Sequence, residues 1–342
     1  MRAYQLEAFN SVEGIMRRER DTPHCGPTEI LVRVRAASLN RRDAMILDRS
    51  YPLPARPNVV PLSDGAGEVV AVGENVTRFR PGDRVTGSYF ARWRDGRISS
   101  DLIDQLGCTL DGMLAEYILM DEQWAVDVPE HLGWEEAATL SCAGVTAWNA
   151  VANSGVAVPG NTVLTLGTGG VSLYVIQFAK IFGCRVIAAT SRNEKTDRLR
   201  ALGADEVINH AATPEWGKRV RELTEGRGVD LVVETIGPDT VDQSLAAASL
   251  YGQVVLLITR GGKTSRIEIS GTAWSGSLAS IRRVFVGSRA DLEAMNRAIA
   301  AHKLRPMIDR VFPFADAHEA YRYFMRGDLF GKVVIEGARE GQ

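Results

Sequence analysis

Two patterns of hydrophobic and polar residues follow one another along this chain. Up to about residue 125, short segments alternate apolar and polar side chains, as at residues 29–36, or place an apolar run between glycines, as at residues 67–73. A Pro-Gly turn at residues 81–82 leads into a further segment of this kind. Alternation with a period of two residues is typical of half-buried strands. The first part of the chain is therefore predicted to be β-rich.

From about residue 160, strand-like and helix-like segments alternate instead. Residues 163–167 are apolar and strand-like, whereas residues 171–183 carry apolar side chains at helical spacing. Further strand-like segments follow at residues 185–190, 206–209, 231–234, 254–258 and 283–286, with helix-length segments between most of them. This order predicts an α/β fold with a doubly wound, parallel, six-stranded sheet. The tail, at residues 309–314 and 331–336, returns to strand-like alternation and is predicted to rejoin the β-rich part.

The composition narrows the range of partners. The 342 residues include 40 Lys and Arg against 42 Asp and Glu, a formal net charge of −2, so the basic excess of a nucleic-acid-binding protein is missing. The longest apolar stretches fall far short of the roughly 20 residues that a membrane helix needs. The first residues also lack the apolar segment of a secretory signal. We expect a cytoplasmic, two-domain protein that binds neither nucleic acid nor membranes.

Potential metal ligands are few and scattered. Cys25, Cys108, Cys142 and Cys184 include no Cys-x-x-Cys pair, and the five histidines include no closely spaced pair. Zinc sites usually show such spacings. The pattern therefore predicts no metal site, and the cysteines are interpreted as small hydrophobic residues.

A glycine-rich loop follows the first strand of the second part. Its residues are Gly167, Thr168, Gly169, Gly170, Val171 and Ser172. In such a loop the first glycine makes a tight turn and the second lets the backbone approach a pyrophosphate, whose charge is favoured by the helix N-terminus. Ser172 stands where the pattern prefers Gly or Ala, but it is small enough for close packing of helix on strand. The chain is therefore predicted to bind a dinucleotide.

The end of the next strand favours a phosphorylated cofactor. About 20 residues beyond the loop, an NAD site offers Asp or Glu to the ribose 2′-hydroxyl. This chain has Ser191 and Arg192 there, with Lys195 close by. A guanidinium can pair with a 2′-phosphate, and a hydroxyl can form a hydrogen bond to it. Glu194 is interpreted as an acid in the first helical turn, and we predict NADP(H) as the cofactor.

With these features together, the sequence resembles the medium-chain dehydrogenase/reductase superfamily, and especially its zinc-free branch of quinone oxidoreductases (zeta-crystallin-like proteins). Besides the glycine loop, the motifs that carry the resemblance lie at residues 37–43, 65–73, 80–85, 112–117, 136–148 and 331–335. The resemblance implies a GroES-like, β-rich catalytic domain at residues 1–142 and 286–342. A Rossmann domain that binds NADP(H), at residues 143–285, would interrupt it.

The resemblance also bears on zinc. Zinc-dependent relatives have a Cys ligand where this chain has Asn40, and a His-Glu pair where it has Ser63 and Asp64. Of the ligand positions, only the one at Cys142 keeps a suitable residue. Because catalytic zinc is usually held by three good ligands, no zinc is expected.

The resemblance further assigns residues to the cofactor. Asn40 is expected beside the nicotinamide and the substrate, Arg41 near the pyrophosphate, and Thr146 near the carboxamide. Ser288 and Arg289 are expected to close over the nicotinamide. Residues that follow two Rossmann strands are expected to flank the adenosine and the nicotinamide ribose: Thr235, Ile236, Gly237, Leu257 and Ile258.

The source of the proton is left open by the sequence. Tyr51 and Tyr89 lie in segments that line the substrate site in relatives, so both are candidate catalytic residues together with Asn40. Asp43 is interpreted as a hydrogen-bond acceptor for the backbone of its loop. Solvent is the remaining source of a proton.

We predict a zinc-independent, NADPH-dependent oxidoreductase that transfers a hydride to a quinone or an α,β-unsaturated carbonyl. The charge that develops on such a substrate is delocalised, so hydrogen bonds can stabilise it without a metal. Two alternatives stay open: zinc-independent alcohol or carbonyl oxidoreduction with NAD(P), and a cofactor-binding protein with little or no turnover. Relatives pair the last Rossmann strand across a two-fold axis, so residues 283–286 are expected to form the edge of a homodimer.

Overall fold

Residues 1–257 and 266–338 are described by a computed structural model. In chain order the strands are β1 (Arg2–Leu6), β2 (Ile15–Glu19), β3 (Glu29–Ser38), β4 (Asp64–Val72), β5 (Arg84–Gly87), β6 (Tyr117–Asp121), β7 (Ala125–Asp127), β8 (Thr162–Leu166), β9 (Arg185–Thr190), β10 (Glu206–Asn209), β11 (Val229–Glu234), β12 (Ala248–Leu256), β13 (Ser280–Arg283), β14 (Ile308–Phe312) and β15 (Lys332–Glu336). The α-helices are α1 (Arg41–Leu47), α2 (Trp134–Ala137), α3 (Val145–Ala152), α4 (Gly170–Ile181), α5 (Thr196–Leu202), α6 (Trp216–Leu223), α7 (Val241–Ala247), α8 (Gly271–Ser277), α9 (Arg289–His302) and α10 (Ala317–Met325).

The chain divides into two compact units. The first unit consists of Met1–Val145 and Gly287–Gln342, and the second unit, Thr146–Val286, interrupts it. From the sequence, the inserted unit was expected to span residues 143–285.

The first unit is built on a seven-stranded sheet in the order β14-β15-β3-β4-β5-β7, with β6 also paired to β3. The C-terminal strand β15 lies antiparallel to β3, with Val334 opposite Ser38. The tail therefore returns to the N-terminal part, as its alternating pattern predicted. This pairing brings the start of β15 next to the end of β3 and the loop that follows it.

The second unit contains a parallel sheet in the order β10-β9-β8-β11-β12-β13. Every residue of β8 is buried, which is typical of a parallel strand with helices on both faces of its sheet. The glycine loop connects β8 to α4 at the centre of this sheet, where the strand order reverses direction. The predicted fold class, a GroES-like β-rich domain plus a Rossmann sheet of six parallel strands, is confirmed.

The predicted position of the edge strand was wrong. The strand β13 ends at Arg283, and the apolar residues 284–286 follow it outside the sheet. Val286 has a φ of +60°, which an extended strand does not allow. Val284 and Val286 are nevertheless buried, so their apolar character reflects packing of a coil segment. In addition, β12 ends at Leu256, and Ile258 lies outside the described residues.

Within the described ranges, none of the helices combines the length and the apolar character that crossing a membrane requires.

Candidate active site

The glycine loop of the second unit has the geometry of a pyrophosphate site. Gly167 has a φ of +82°, in the left-handed region that favours glycine, and its N–H donates to the Ala189 carbonyl at 2.7 Å. A Cβ atom on Gly169 would meet no protein atom within 4 Å. The helix α4 begins at the next residue, so its free N–H groups face this open space. The loop is therefore shaped for an anionic group that the protein itself does not supply.

Hydroxyl groups hold the base of this loop. Ser172 Oγ donates to the Leu166 carbonyl at 2.6 Å, and Thr235 Oγ1 donates to the same oxygen. The two hydroxyl oxygens lie 3.2 Å apart. Ser172, the departure from the expected Gly or Ala, thus ties α4 to the end of β8. Predicted cofactor residues from two different strand ends, Thr235 and the glycine loop, meet here.

The residues predicted to bind the 2′-phosphate of the cofactor lie after β9. Ser191 and Arg192 are exposed, and Arg192 Nη1 lies 3.6 Å from the Glu194 carboxylate. Lys195 Nζ reaches back to the glycine loop and donates to Thr168 Oγ1 at 3.1 Å. The Lys195 ammonium at the glycine loop and the exposed Arg192 guanidinium therefore place positive charge along one edge of the second unit.

A buried carboxylate shapes the segment after β11. Glu234 accepts hydrogen bonds from the backbone N–H groups of Ile236 and Gly237 and from Ser244 Oγ, at 2.7, 3.1 and 2.6 Å. Burial raises the pKa of Glu234, while these hydrogen bonds act in the opposite direction. Gly237 has a φ of +122°. Glu234 therefore fixes the backbone of the predicted adenosine-flanking turn.

The remaining residues predicted to bind the cofactor differ in how far they are buried. Leu257 directly follows β12, and its N–H donates to the Glu234 carbonyl at 3.1 Å. Thr146 is buried in α3, Val171 is half-buried in α4, and Arg41 is exposed at the start of α1.

Ser288 and Arg289 belong to the first unit, where they begin α9. Ser288 caps this helix through Asp291. Arg289 Nη1 donates to the carbonyl and the side-chain oxygen of Gln123, both at 2.9 Å. Ser288 therefore caps α9, and Arg289 attaches the start of this helix to Gln123. A contact of either residue with nicotinamide stays a prediction.

In the first unit, Asn40 lies beside a buried lysine. Lys332 Nζ donates to Asn40 Oδ1 and, at 2.7 Å, to the Leu39 carbonyl. The Asp64 carboxylate lies 3.7 Å from the same ammonium. Asp64 also accepts from Ser63 Oγ at 2.7 Å and from the Cys142 N–H at 3.1 Å. The residues at the four positions where zinc-dependent relatives are expected to have ligands are thus joined, through Lys332, in one cluster of hydrogen bonds and an ion pair.

Next to this cluster, Asp43 and Arg42 form a buried ion pair. Asp43 Oδ2 accepts from the Asn40 N–H at 2.7 Å, which agrees with the predicted role of Asp43 as a backbone acceptor. Asp43 Oδ1 lies 3.3 Å from Arg42 Nη1. Burial raises the pKa of Asp43 to about 6, although the Arg42 guanidinium partly opposes this.

The two candidate tyrosines are brought together. The hydroxyl oxygens of Tyr51 and Tyr89 lie 2.7 Å apart, and Tyr51 donates to Gln105 Oε1 at 2.7 Å. Because Tyr51 has only one proton, Tyr89 donates to Tyr51. The Arg42 guanidinium lies 4.9 Å from the Tyr89 ring centre and 5.5 Å from that of Tyr51. Burial raises the pKa of both hydroxyls, so they are protonated at neutral pH.

Comparison with known proteins identifies the family to which this chain belongs. Residues 26–130 match the family described as Alcohol dehydrogenase GroES-like domain, and residues 170–301 match the family described as Zinc-binding dehydrogenase. A zinc-type alcohol dehydrogenase-like protein of Schizosaccharomyces pombe is 39% identical over 316 residues, covering 91% of each chain. The protein belongs to the medium-chain dehydrogenase/reductase family. It is an oxidoreductase, and members of this family bind a nicotinamide cofactor.

Other members of the family differ in their named activities. The quinone oxidoreductase of Pseudomonas aeruginosa is 30% identical over 340 residues, covering 97% of this chain and 98% of its own. The crystal structure of an NAD-dependent alcohol dehydrogenase matches with a TM-score of 0.88 and 32% identity, covering 98% of this chain and 99% of that one. Membership of the family therefore establishes the fold and the class of reaction, while the substrate has to be argued from the site.

The donor set of this family member does not fit a catalytic zinc. Asn40 and Ser63 supply an amide and a hydroxyl, and Asp64 is held by Lys332, Ser63 and the Cys142 backbone. Desolvation and the nearby Asp64 carboxylate raise the pKa of the Cys142 thiol well above its usual range. In the described parts of the chain, no group of three or more His, Cys, Asp or Glu side chains is placed to hold a metal ion.

Sequence reasoning missed three residues of this site. The exposed Arg41 was predicted as a site residue, but its buried neighbour Arg42 was not. Gln105 and Lys332 were not predicted as site residues either. Lys332 offered one local signal, because a lysine that directly precedes the apolar run Val333–Ile335 needs a partner if it is buried. No local signal marks Gln105.

Proposed function

We propose that this oxidoreductase reduces quinones or α,β-unsaturated carbonyls with NADPH and without zinc. The observation that carries the proposal is the cluster formed by Asn40, Asp64 and Lys332. Asn40 and Asp64 stand at positions where zinc-dependent relatives have ligands, and the Lys332 ammonium lies between them and donates to the Asn40 amide. Such a site offers an amide hydrogen-bond donor to a substrate oxygen in place of a Lewis acid.

The chemistry of the proposed substrates suits hydrogen-bond donors. Bound NADPH supplies a hydride, and addition to a conjugated carbon moves an electron pair onto the substrate oxygen. The resulting enolate or phenolate charge is delocalised, so donors fixed in a buried site can stabilise it. Tyr51 is half-buried, whereas Tyr89 is almost fully buried. Tyr51 is therefore the better candidate to deliver a proton, which would turn from Gln105 Oε1 to the substrate while Tyr89 donates to the Tyr51 oxygen.

The charge near the second unit's glycine loop supports NADP(H) over NAD(H). Lys195 contacts Thr168 of the loop, and Ser191 and Arg192 occupy the exposed end of β9. The segment of residues 191–193 contains no carboxylate that could accept from a ribose 2′-hydroxyl. The cytoplasmic location stays a prediction from the sequence.

The alternative is zinc-independent alcohol or carbonyl oxidoreduction. The names of the relative from Schizosaccharomyces pombe and of the NAD-dependent alcohol dehydrogenase favour alcohol chemistry, and the absence of zinc rests on the donor set of this chain. Both activities would use the same cofactor fold, so only turnover distinguishes them.

Turnover by chelator-treated enzyme tests the proposal. The purified protein is treated with EDTA and mixed with NADPH and, separately, 1,4-benzoquinone, a simple enone or a simple aldehyde, and NADPH oxidation is followed by absorbance. We expect the quinone or the enone to be reduced at the same rate before and after EDTA. Turnover of the aldehyde alone would support the alternative. Loss of all activity that returns with added zinc would contradict both zinc-free mechanisms.

We also propose that two copies of the protein pair through β13. This strand lies at the edge of the second unit's sheet, where unpaired backbone groups can accept another strand. Leu278, Ile281 and Phe285, in and beside the strand, are large apolar residues with exposed side chains. An exposed apolar sheet edge of this kind suits a self-complementary interface.

A charged residue on this edge should separate the copies. Ile281→Lys is expected to shift the protein from dimer to monomer in analytical ultracentrifugation, because pairing would bury the added ammonium. Val158→Lys, which changes another exposed apolar residue of the same unit, serves as the control and should remain dimeric. A wild-type protein that sediments as a monomer would exclude the interface.

A further inference from the structure

The buried lysine at the start of β15 has an unusual set of partners. Only 3% of Lys332 is exposed, and burying an ammonium is unfavourable unless it is paired. One of its hydrogen bonds goes to the Leu39 carbonyl and another to Asn40 Oδ1. The Asp64 carboxylate balances its charge from 3.7 Å, while both Asp64 oxygens accept from other donors.

An ammonium has only donors, and this determines the orientation of the Asn40 amide. The Asn40 atom that faces Lys332 must be an acceptor, which is Oδ1, so Nδ2 must point the other way. Asn40 Nδ2 is buried and has no hydrogen-bond partner among the described residues. Leaving a buried donor unpaired is unfavourable, because the group has lost its hydrogen bonds to water without gaining others. This unpaired donor points to an acceptor that is not part of the protein.

We propose that Lys332 is a positioning residue that holds and polarises the Asn40 amide, so that Asn40 Nδ2 donates a hydrogen bond to the substrate oxygen. The inference rests on the proposed function, because it takes that oxygen to be the carbonyl or quinone oxygen on which charge develops. The ammonium withdraws electron density through Oδ1, and hydrogen bonds in such a chain strengthen one another. Asn40 would touch the substrate, and Lys332 would act only through Asn40.

A double-mutant cycle separates this role from a merely structural one. Lys332→Met is expected to lower kcat about 10–100-fold through misplacement of the amide, with little change in the Kd for NADPH. Asn40→Ala should lower kcat about 100-fold, the usual effect of losing one donor to a developing oxyanion. In the Asn40→Ala background, adding Lys332→Met should change kcat less than about twofold if Lys332 acts only through Asn40. Equal losses in both backgrounds would overturn the proposal.

Two further variants cover the case in which Lys332→Met does not fold. Asn40→Asp keeps an oxygen partner for Lys332 but replaces the donor with a carboxylate, so kcat should fall about 100-fold or more while the fold is retained. Lys332→Arg keeps a cationic donor to Asn40 Oδ1 and should retain more activity than Asn40→Asp. Wild-type kcat in Asn40→Asp would contradict the role of Nδ2.

A readout without turnover distinguishes failure of this inference from failure of the proposed function. The side-chain amide signal of Asn40, assigned by its loss in Asn40→Asp, is followed by ¹⁵N NMR of the full chain with NADP⁺ and added hydroquinone. We expect hydroquinone to shift the signal in the wild type, and Lys332→Met to abolish that shift. An inactive wild type that still shows the shift would contradict only the proposed reaction. If the chemical shift of the Asn40 amide changes neither on addition of hydroquinone nor in Lys332→Met, the inference itself is contradicted.

Discussion

Arg42→Met is expected to lower the free energy of unfolding by about 3–5 kcal/mol, because it leaves a buried carboxylate without its partner. The side chains of Arg42 and Asp43 are 5% and 1% exposed. Arg42 also donates to the Leu106 carbonyl at 3.0 Å and lies against the Tyr51 and Tyr89 rings. Urea unfolding of the full chain, followed by circular dichroism and fluorescence, measures the loss.

The matched control is Arg35→Met. Arg35 pairs with Glu68 at 2.7 Å, but both side chains are 34% exposed, so the loss should be about 1 kcal/mol or less. The double variant Arg42→Met/Asp43→Asn should recover part of the stability, because no buried charge is left. Equal small losses for Arg42→Met and Arg35→Met would show that the buried pair contributes little.

The effect of Arg42→Met should also depend on pH. The folded-state pKa of Asp43, about 6, is above its ordinary value, so the folded protein binds this proton more readily than the unfolded chain does. Stability contributed by Asp43 is therefore present at low pH and is lost as pH rises towards the folded pKa. Without Arg42 that pKa rises further, so Arg42→Met should be more destabilising at pH 8 than at pH 5.

Arg192→Ala is expected to weaken NADPH binding by about 1.5–3 kcal/mol, or about 10–150-fold, while NADH binding changes little. The reason is that only NADPH carries the 2′-phosphate with which the guanidinium would form charged hydrogen bonds. Fluorescence titration of the purified variant with each cofactor gives the two dissociation constants.

Arg200→Ala is the control for general loss of positive charge. Arg200 lies on α5, is exposed, and pairs with Asp197, so its removal should affect both cofactors less than about twofold. An equal loss of NADPH and NADH affinity in Arg192→Ala would mean that Arg192 does not bind the 2′-phosphate. The cofactor preference would then have to come from Lys195 or Ser191.

Local patterns in the sequence were sufficient for much of the fold and for the cofactor loop. Strand β9 begins and ends where its apolar run predicted, because all its residues after Arg185 are buried and such a parallel strand has a continuous apolar signature. The glycine loop was recognisable because the positive φ of Gly167 and the open space beside Gly169 favour glycine at these positions. The edge strand was misplaced because the apolar residues 284–286 look the same whether they pack as a strand or as a coil.

The sequence by itself determined the parallel sheet, the glycine loop, the family and Asn40 as a candidate site residue, since each depends on residues close together along the chain or on motifs in a fixed order. Only the tertiary structure placed Lys332 on Asn40, 292 residues away, and Gln105 beside Arg42 and Tyr51. Contacts of this kind depend on which strands pair and in which register, and no local period encodes them. The orientation of the Asn40 amide, and with it the donor offered to a substrate, follows from such a contact.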